Sequence, residues 1–204
     1  MRSSRSRRAG FSLIELLIVV AIIMCISAVT IPNVLHAAAS LRCRLTMTSL
    51  SGMIQQARSY AIKNNKVMTV HYVMVSGQWV AYIEDASQPA ALSSAMNKKQ
   101  MYLGKLVTKY DTPSGTNAPP ALTPTAMWGS GTSATIAAGE LSFNSRGLPC
   151  LYDTTSGSCA MNDGFVYYFS YAPPFGQNGW TAISVSPAGR VKTWLASGAA
   201  WMTN

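Results

Sequence analysis

Hydrophobic and polar positions divide the chain into three stretches with different periods. Residues 11–34 are apolar almost without interruption, and about twenty such residues at 1.5 Å each span the hydrocarbon core of a bilayer. From 35 to 65 the pattern becomes amphipathic: Cys43, Met47, Leu50, Ile54, Ala57 and Ala61 recur at three- and four-residue steps, while Gln55, Gln56, Ser59 and Lys63 fall on the other side. One long helix is predicted, apolar all round and then one-sided, with Asn64-Asn65 as its stop. Pro32 lies inside it and is expected to kink it or interrupt its ladder.

Period-two segments rich in β-branched and aromatic residues follow: 66–75, 78–84, 101–109, 139–144, 164–171, 180–186 and 190–195. Ser76-Gly77 reads as a two-residue hairpin link. The economical architecture is α+β, with the helix laid across an antiparallel sheet in a β-rich domain spanning 66–204. Residues 111–139 contain four prolines and many small residues, and are predicted to form a long flexible surface loop, with Met127-Trp128 the one feature in it that suits a contact surface.

Sixteen Lys and Arg stand against seven Asp and Glu, a formal charge of +9. Four of the cations, Arg2, Arg5, Arg7 and Arg8, precede the apolar run and predict an N-terminus held in the cytoplasm with the β-rich domain on the far side of the membrane. A cleaved secretory signal ending near Ser40, after HAAAS, is the competing reading, but the apolar run is long for one and contains an acid, Glu15. Cys25 and Cys43 read as small buried hydrophobes. Cys150 and Cys159 bracket a polar, turn-rich octet and predict a disulfide in an oxidising compartment. Neither His36 nor His71 sits in a metal-ligand or nucleophile spacing, so no catalytic residue, metal site or cofactor is predicted. Alternation places Arg190, Lys192 and Trp194 on one face of the last predicted strand, a pattern suited either to gripping a phosphate backbone and stacking a base or to guarding a sheet edge. Lys98, Lys99, Lys105 and Lys109 would supplement such a surface.

Arg8-Ala9-Gly10 followed by Phe11-Ser12-Leu13-Ile14-Glu15 resembles the processing site of type IV pilins and type II secretion pseudopilins. Counted from Phe11, Glu15 is the fifth residue and Pro32 the twenty-second, as in that family. The resemblance implies that residues 1–10 are a leader removed by a prepilin peptidase between Gly10 and Phe11, that Phe11 is then N-methylated, and that the helix assembles with those of other pilins or pseudopilins. It also makes the membrane the inner membrane and its far side the periplasm. The new α-amino cation of one subunit would meet Glu15 of another, each offsetting the other's desolvation. The helix end SYAIKNNKVMTVHY, FNSRGLP at 143–149 and the final GRVK are similar to H-type pseudopilins and FimT-like minor pilins. Some of the latter bind DNA through a terminal Gly-Arg-x-Arg motif, whose last position here is Lys192. The implied function is a non-enzymatic minor subunit of a secretion pseudopilus or a type IV pilus, with a DNA receptor as the alternative.

Overall fold

The computed structural model describes residues 12–88, 100–115, 117–129, 135–161, 163–173 and 177–203. A single helix, α1 (Leu13–Asn64), runs through the first third of the chain. Its C-terminal half buries Ala39, Cys43, Met47, Leu50, Met53, Ile54, Ala57 and Ala61, the stripe that the three- and four-residue spacing predicts. Asn65 ends it in the left-handed conformation, and Asn65 and Lys66 return their amide protons to the carbonyls of Ile62 and Ala61. Those two bonds satisfy carbonyls that the helix end leaves open.

Two antiparallel sheets, rather than one, receive the helix. The first has six strands in the order β3-β2-β1-β5-β6-β7, built from β1 (Met68–Val75), β2 (Gln78–Asp85), β3 (Gln100–Tyr102), β5 (Leu141–Phe143), β6 (Pro149–Asp153) and β7 (Ser158–Ala160). The second has five in the order β11-β10-β9-β8-β4, from β4 (Val107–Tyr110), β8 (Phe165–Tyr171), β9 (Gly179–Val185), β10 (Val191–Ser197) and β11 (Ala200–Thr203). Ser76 and Gly77, both at positive φ, make the tight β1–β2 turn whose twist suits a hairpin.

The segment 101–109, expected as one strand, is two strands in different sheets. At Gly104, φ +94°, the chain turns and crosses from the first sheet to the second, and the Val107 amide closes the turn on the Gly104 carbonyl. The helix stripe packs with Met68, Val70, Ile83, Leu141 and Phe143 of the first sheet and Phe165, Tyr167, Phe169, Ile183 and Val185 of the second, forming the main core.

The outer face of the second sheet is also covered. A short helix, α2 (Pro124–Trp128), is capped by the Thr123 hydroxyl and carries Met127, fully buried, into a cluster with Leu122, Tyr168, Trp180, Ala182 and Trp194. Residues 117–129, within the stretch 111–139 expected to form a flexible surface loop, are therefore packed as a cover on the second sheet. Apolar side chains on both faces of the second sheet explain it, because the face turned away from α1 needs its own partner. Consecutive tyrosines on β8 serve the two sides: the Tyr167 hydroxyl accepts from the Leu141 amide at 2.6 Å in the core, and that of Tyr168 accepts from the Leu122 amide at 2.8 Å under the cover.

Candidate functional site

The N-terminal half of α1 packs against no other element among the described residues. Its leucines, isoleucines and valines from Leu13 to Leu35 are exposed, and the apolar window is wholly outside the core. An isolated helix with an apolar surface on every side has no favourable arrangement in water, so this half fits membrane anchoring and contact with like helices. Glu15 lies in its first turn, where the helix dipole favours a carboxylate, and is exposed. Gly10 and Phe11 lie outside the described residues.

At Pro32 the helix continues without a break. Proline removes the one ladder bond that an amide at this position would donate to Ala28. On the flanking turns, the Thr30 hydroxyl donates to the Ile26 carbonyl at 2.9 Å and the Asn33 side-chain amide to the Val29 carbonyl at 3.1 Å. The interruption is thus confined to a single bond.

Three of the resembling stretches converge on one side chain. Arg58, on the helix stretch that ends in SYAIKNN, donates from Nη1 to the Gly189 carbonyl at 3.4 Å, in the turn that leads into GRVK. A Cβ on Gly189 would lie 3.3 Å from the guanidinium carbon and 3.4 Å from the Gly147 carbonyl, and one on Gly147 would lie 2.7 Å from Ile62. Both glycines have positive φ, so each turn needs glycine for its backbone and again for the approach of the helix. Asn144 ties the FNSRGLP turn internally, its side-chain carbonyl accepting from the amides of Arg146 and Leu148.

Arg190, Lys192 and Trp194 do not form an open cation–indole surface. Lys192 and Trp194 do share the outward face of β10, as alternation requires, but the cover lies over it. Trp194 is 7 % exposed, and its indole N–H donates to the Ser184 hydroxyl at 2.8 Å. The Lys192 ammonium donates to the Met127 carbonyl at 3.0 Å and lies 5.7 Å from the Trp194 ring. The expectation that Trp194 stacks a base is therefore corrected: its ring is an internal packing group. Arg190 is exposed and keeps a free position beside Ser51. Lys109 pairs with Asp111 at 2.8 Å and lies 5.6–5.9 Å from the rings of Tyr72, Trp79 and Tyr167. Lys98 and Lys99 lie outside the described residues.

One charged cluster escaped the sequence reading. His71, on β1, bonds from Nδ1 to Glu140 at 2.5 Å, while its Nε2 faces the fully buried Glu84 at 3.8 Å and its ring stacks on Tyr82. The signal was Glu84 itself, an acid placed directly after the apolar run Trp79–Ile83 of β2. Because the carboxylates flank opposite nitrogens, a single metal ion has no place where all three groups meet, and no metal-binding group of three or more His, Cys, Asp or Glu occurs among the described residues. Glu140 also faces Tyr72 and Tyr167, whose hydroxyls burial pushes well above the ordinary tyrosine range, with the Glu140 charge adding to the shift.

A disulfide joins Cys150 of β6 to Cys159 of β7, with Cα atoms 5.4 Å apart. The hairpin it crosses turns on Asp153, whose carboxyl is held below its ordinary value by the Ser156 hydroxyl and the Thr155 amide. Cys43, on the core face of α1, is buried beside the Thr181 hydroxyl, and burial pushes its thiol up to about 11.

Residues 5–31 match the family model described as the prokaryotic N-terminal methylation motif. Two crystal forms of the type IV minor pilin FimU from Pseudomonas aeruginosa (strain PAO1) are structurally similar. One is 14 % identical over 78 % of this chain and 96 % of that one, with a TM-score of 0.41. The other is 15 % identical over 83 % and 93 %, with a TM-score of 0.40. No curated protein matches the chain.

Proposed function

We propose that this chain, a type IV pilin-like protein bearing the prokaryotic N-terminal methylation motif on a long helix packed over antiparallel sheets, is a non-enzymatic minor subunit of a secretion pseudopilus or a type IV pilus. A prepilin peptidase cuts after Gly10, Phe11 is N-methylated, and the subunit waits in the inner membrane with its β-rich domain on the periplasmic side. One observation carries the reading. The half of α1 that carries most of the motif leaves its leucines, isoleucines and valines uncovered, whereas the other half buries one face against two sheets. A helix with one end folded into a domain and the other end free is suited first to a bilayer and then to a bundle of like helices. Glu15 supplies the register: outside water its charge is costly, and the amine created by cleavage is the partner that offsets it.

Intact-mass analysis of the processed protein from cells with the peptidase tests the reading: the expected species begins at a methylated Phe11. A chain beginning at Ser40, or one retaining residues 1–10 in those cells, sinks it. Glu15→Ala is expected to leave cleavage unchanged and to reduce incorporation into filaments, while normal incorporation removes the register role. The DNA-receptor alternative keeps Arg190 as its one uncommitted contact in the terminal hairpin, since Lys192 and Trp194 are engaged under the cover.

A further inference from the structure

We propose that the recess between α1 and the turn joining β3 to β4 binds the headgroup of an anionic phospholipid on the periplasmic leaflet, so that the folded domain rests on the membrane rather than standing clear of it. The proposal rests on the membrane-inserted state given above.

The level of the recess follows from the sequence. Residues 16–41 carry no charged side chain, a length of about 39 Å at 1.5 Å per residue. A bilayer is about 30 Å thick in hydrocarbon and roughly 40–45 Å with both headgroup layers. With Glu15 near the cytoplasmic edge of the hydrocarbon, Arg42 falls at the opposite headgroup layer. Arg42 is the first charged residue after Glu15.

The fold brings a second cation to the same level. The chain crosses between sheets at Gly104, and the turn it makes there places Lys105 and Leu106 across the helix positions Ala39, Arg42 and Cys43. A recess of about 300 Å³ results, with an apolar floor that includes Ala39, Cys43 and Leu103. Arg42 and Lys105 are both exposed at its rim, and among the described residues lining it none is acidic. Leu106 stands out from the turn at 43 % exposure, and Leu41 and Leu45 are exposed on the helix beside it, at 58 % and 59 %. Exposed leucines interleaved with cations one headgroup's depth above an apolar span are the composition of an interfacial surface: the apolar groups enter the acyl boundary and the cations meet phosphate. A subunit moving from membrane to filament would have to give up this contact.

The test uses the full chain in nanodiscs of phosphatidylcholine, with or without phosphatidylglycerol. Cys25→Ser removes the exposed thiol, Cys43 is buried, and a polarity-sensitive fluorophore is placed at Leu106→Cys or, as the distant control, at Lys63→Cys near the far end of α1. The Leu106 probe is expected to be blue-shifted relative to the Lys63 probe and quenched by lipids carrying a headgroup spin label. The phosphatidylglycerol content needed for half the effect should rise roughly fivefold for each of Arg42→Ala and Lys105→Ala, a cation near an anionic surface being worth about that factor. Extraction of the chain by alkaline carbonate would refute membrane insertion itself. A retained chain whose two probes behave alike overturns the resting domain. Equal quenching in both lipids, unmoved by the two alanines, overturns headgroup recognition, and displacement by inorganic phosphate would mean a soluble anion occupies the recess instead.

Discussion

Replacing Met127 with alanine removes a fully buried thioether chain from the interface between α2 and the outer face of the second sheet. Its neighbours are large and held in place: Trp194 is fixed by its bond to Ser184, and Tyr168 by its bond to Leu122. They are poorly placed to close the gap. Deleting a buried Met side chain costs roughly 2–5 kcal/mol in transfer and cavity terms. A chain of this size loses about 2–4 °C of Tm per kcal/mol, so a loss near 3 kcal/mol lowers Tm by about 6–12 °C. A residue on a loose surface loop would instead change stability by no more than about 0.5 kcal/mol. Thermal unfolding of the full chain in a mild detergent, followed by near-ultraviolet circular dichroism, separates these cases, with Met74→Ala on an exposed part of β1 as the control. A Met127→Ala shift no larger than the control's would refute the account of 117–129 as an ordered cover. It would also return Lys192 and Trp194 to solvent and with them the case for a nucleic-acid contact. Accelerated proteolysis between Leu122 and Gly129 in the variant, with the rest of the domain intact, would show the cover detaching as a unit.

Other consequences can be checked directly. Tyr167→Phe leaves the Leu141 amide buried without its acceptor and should cost about 1–3 kcal/mol by chemical denaturation; an unchanged midpoint would mean water replaces the phenol. Gly189→Ala, at φ +79° and against Arg58, should cost about 1–2 kcal/mol for the backbone conformation alone, and a neutral result would show the turn relaxing away from the helix. Raising a thiol's pKa keeps it protonated over a wider range, so at pH 8 Cys43, with its thiol near 11, is thiolate in roughly one molecule in a thousand. Cys43 should therefore resist alkylation until denaturant is added and react faster only as pH climbs toward 11. Rapid labelling of the native protein at pH 8 would contradict its burial.

What the sequence made legible follows from which physical signals are local. The helical stripe from Cys43 to Ala61, the stop at Asn65 and the Ser76-Gly77 hairpin depend on neighbours a few residues apart, and all three are where spacing and turn chemistry put them. Period-two alternation also ordered the strand faces: Lys192 and Trp194 share a side. Alternation is silent on what lies above a face, and here the cover arrives from residues about seventy positions upstream. For the same reason a single sheet was expected where two exist. The division is made at Gly104, one residue within a run whose β-formers read as continuous. Strands β6, β7 and β11 are short, and the first two are held in place by the Cys150–Cys159 link as well as by patterning. His71 and Glu140 lie 69 positions apart, a pairing that no local rule reaches. The methylation motif was legible because it is short, contiguous and placed at the edge of an apolar run.

The adjacent tyrosines of β8 act as a check on the alignment of the whole second sheet. If β8 slid by one residue in one direction, Tyr168 would take the inner seat and Phe169 the outer, leaving the Leu122 amide facing a ring with no oxygen. In the other direction Val166 would take the inner seat and Tyr167 the outer, and the Leu141 amide would be abandoned. Either error buries an unmet donor, which costs about 1–3 kcal/mol beyond the exchange of faces. Two neighbouring phenols thus work as a two-sided key: only one alignment of the strand turns both locks.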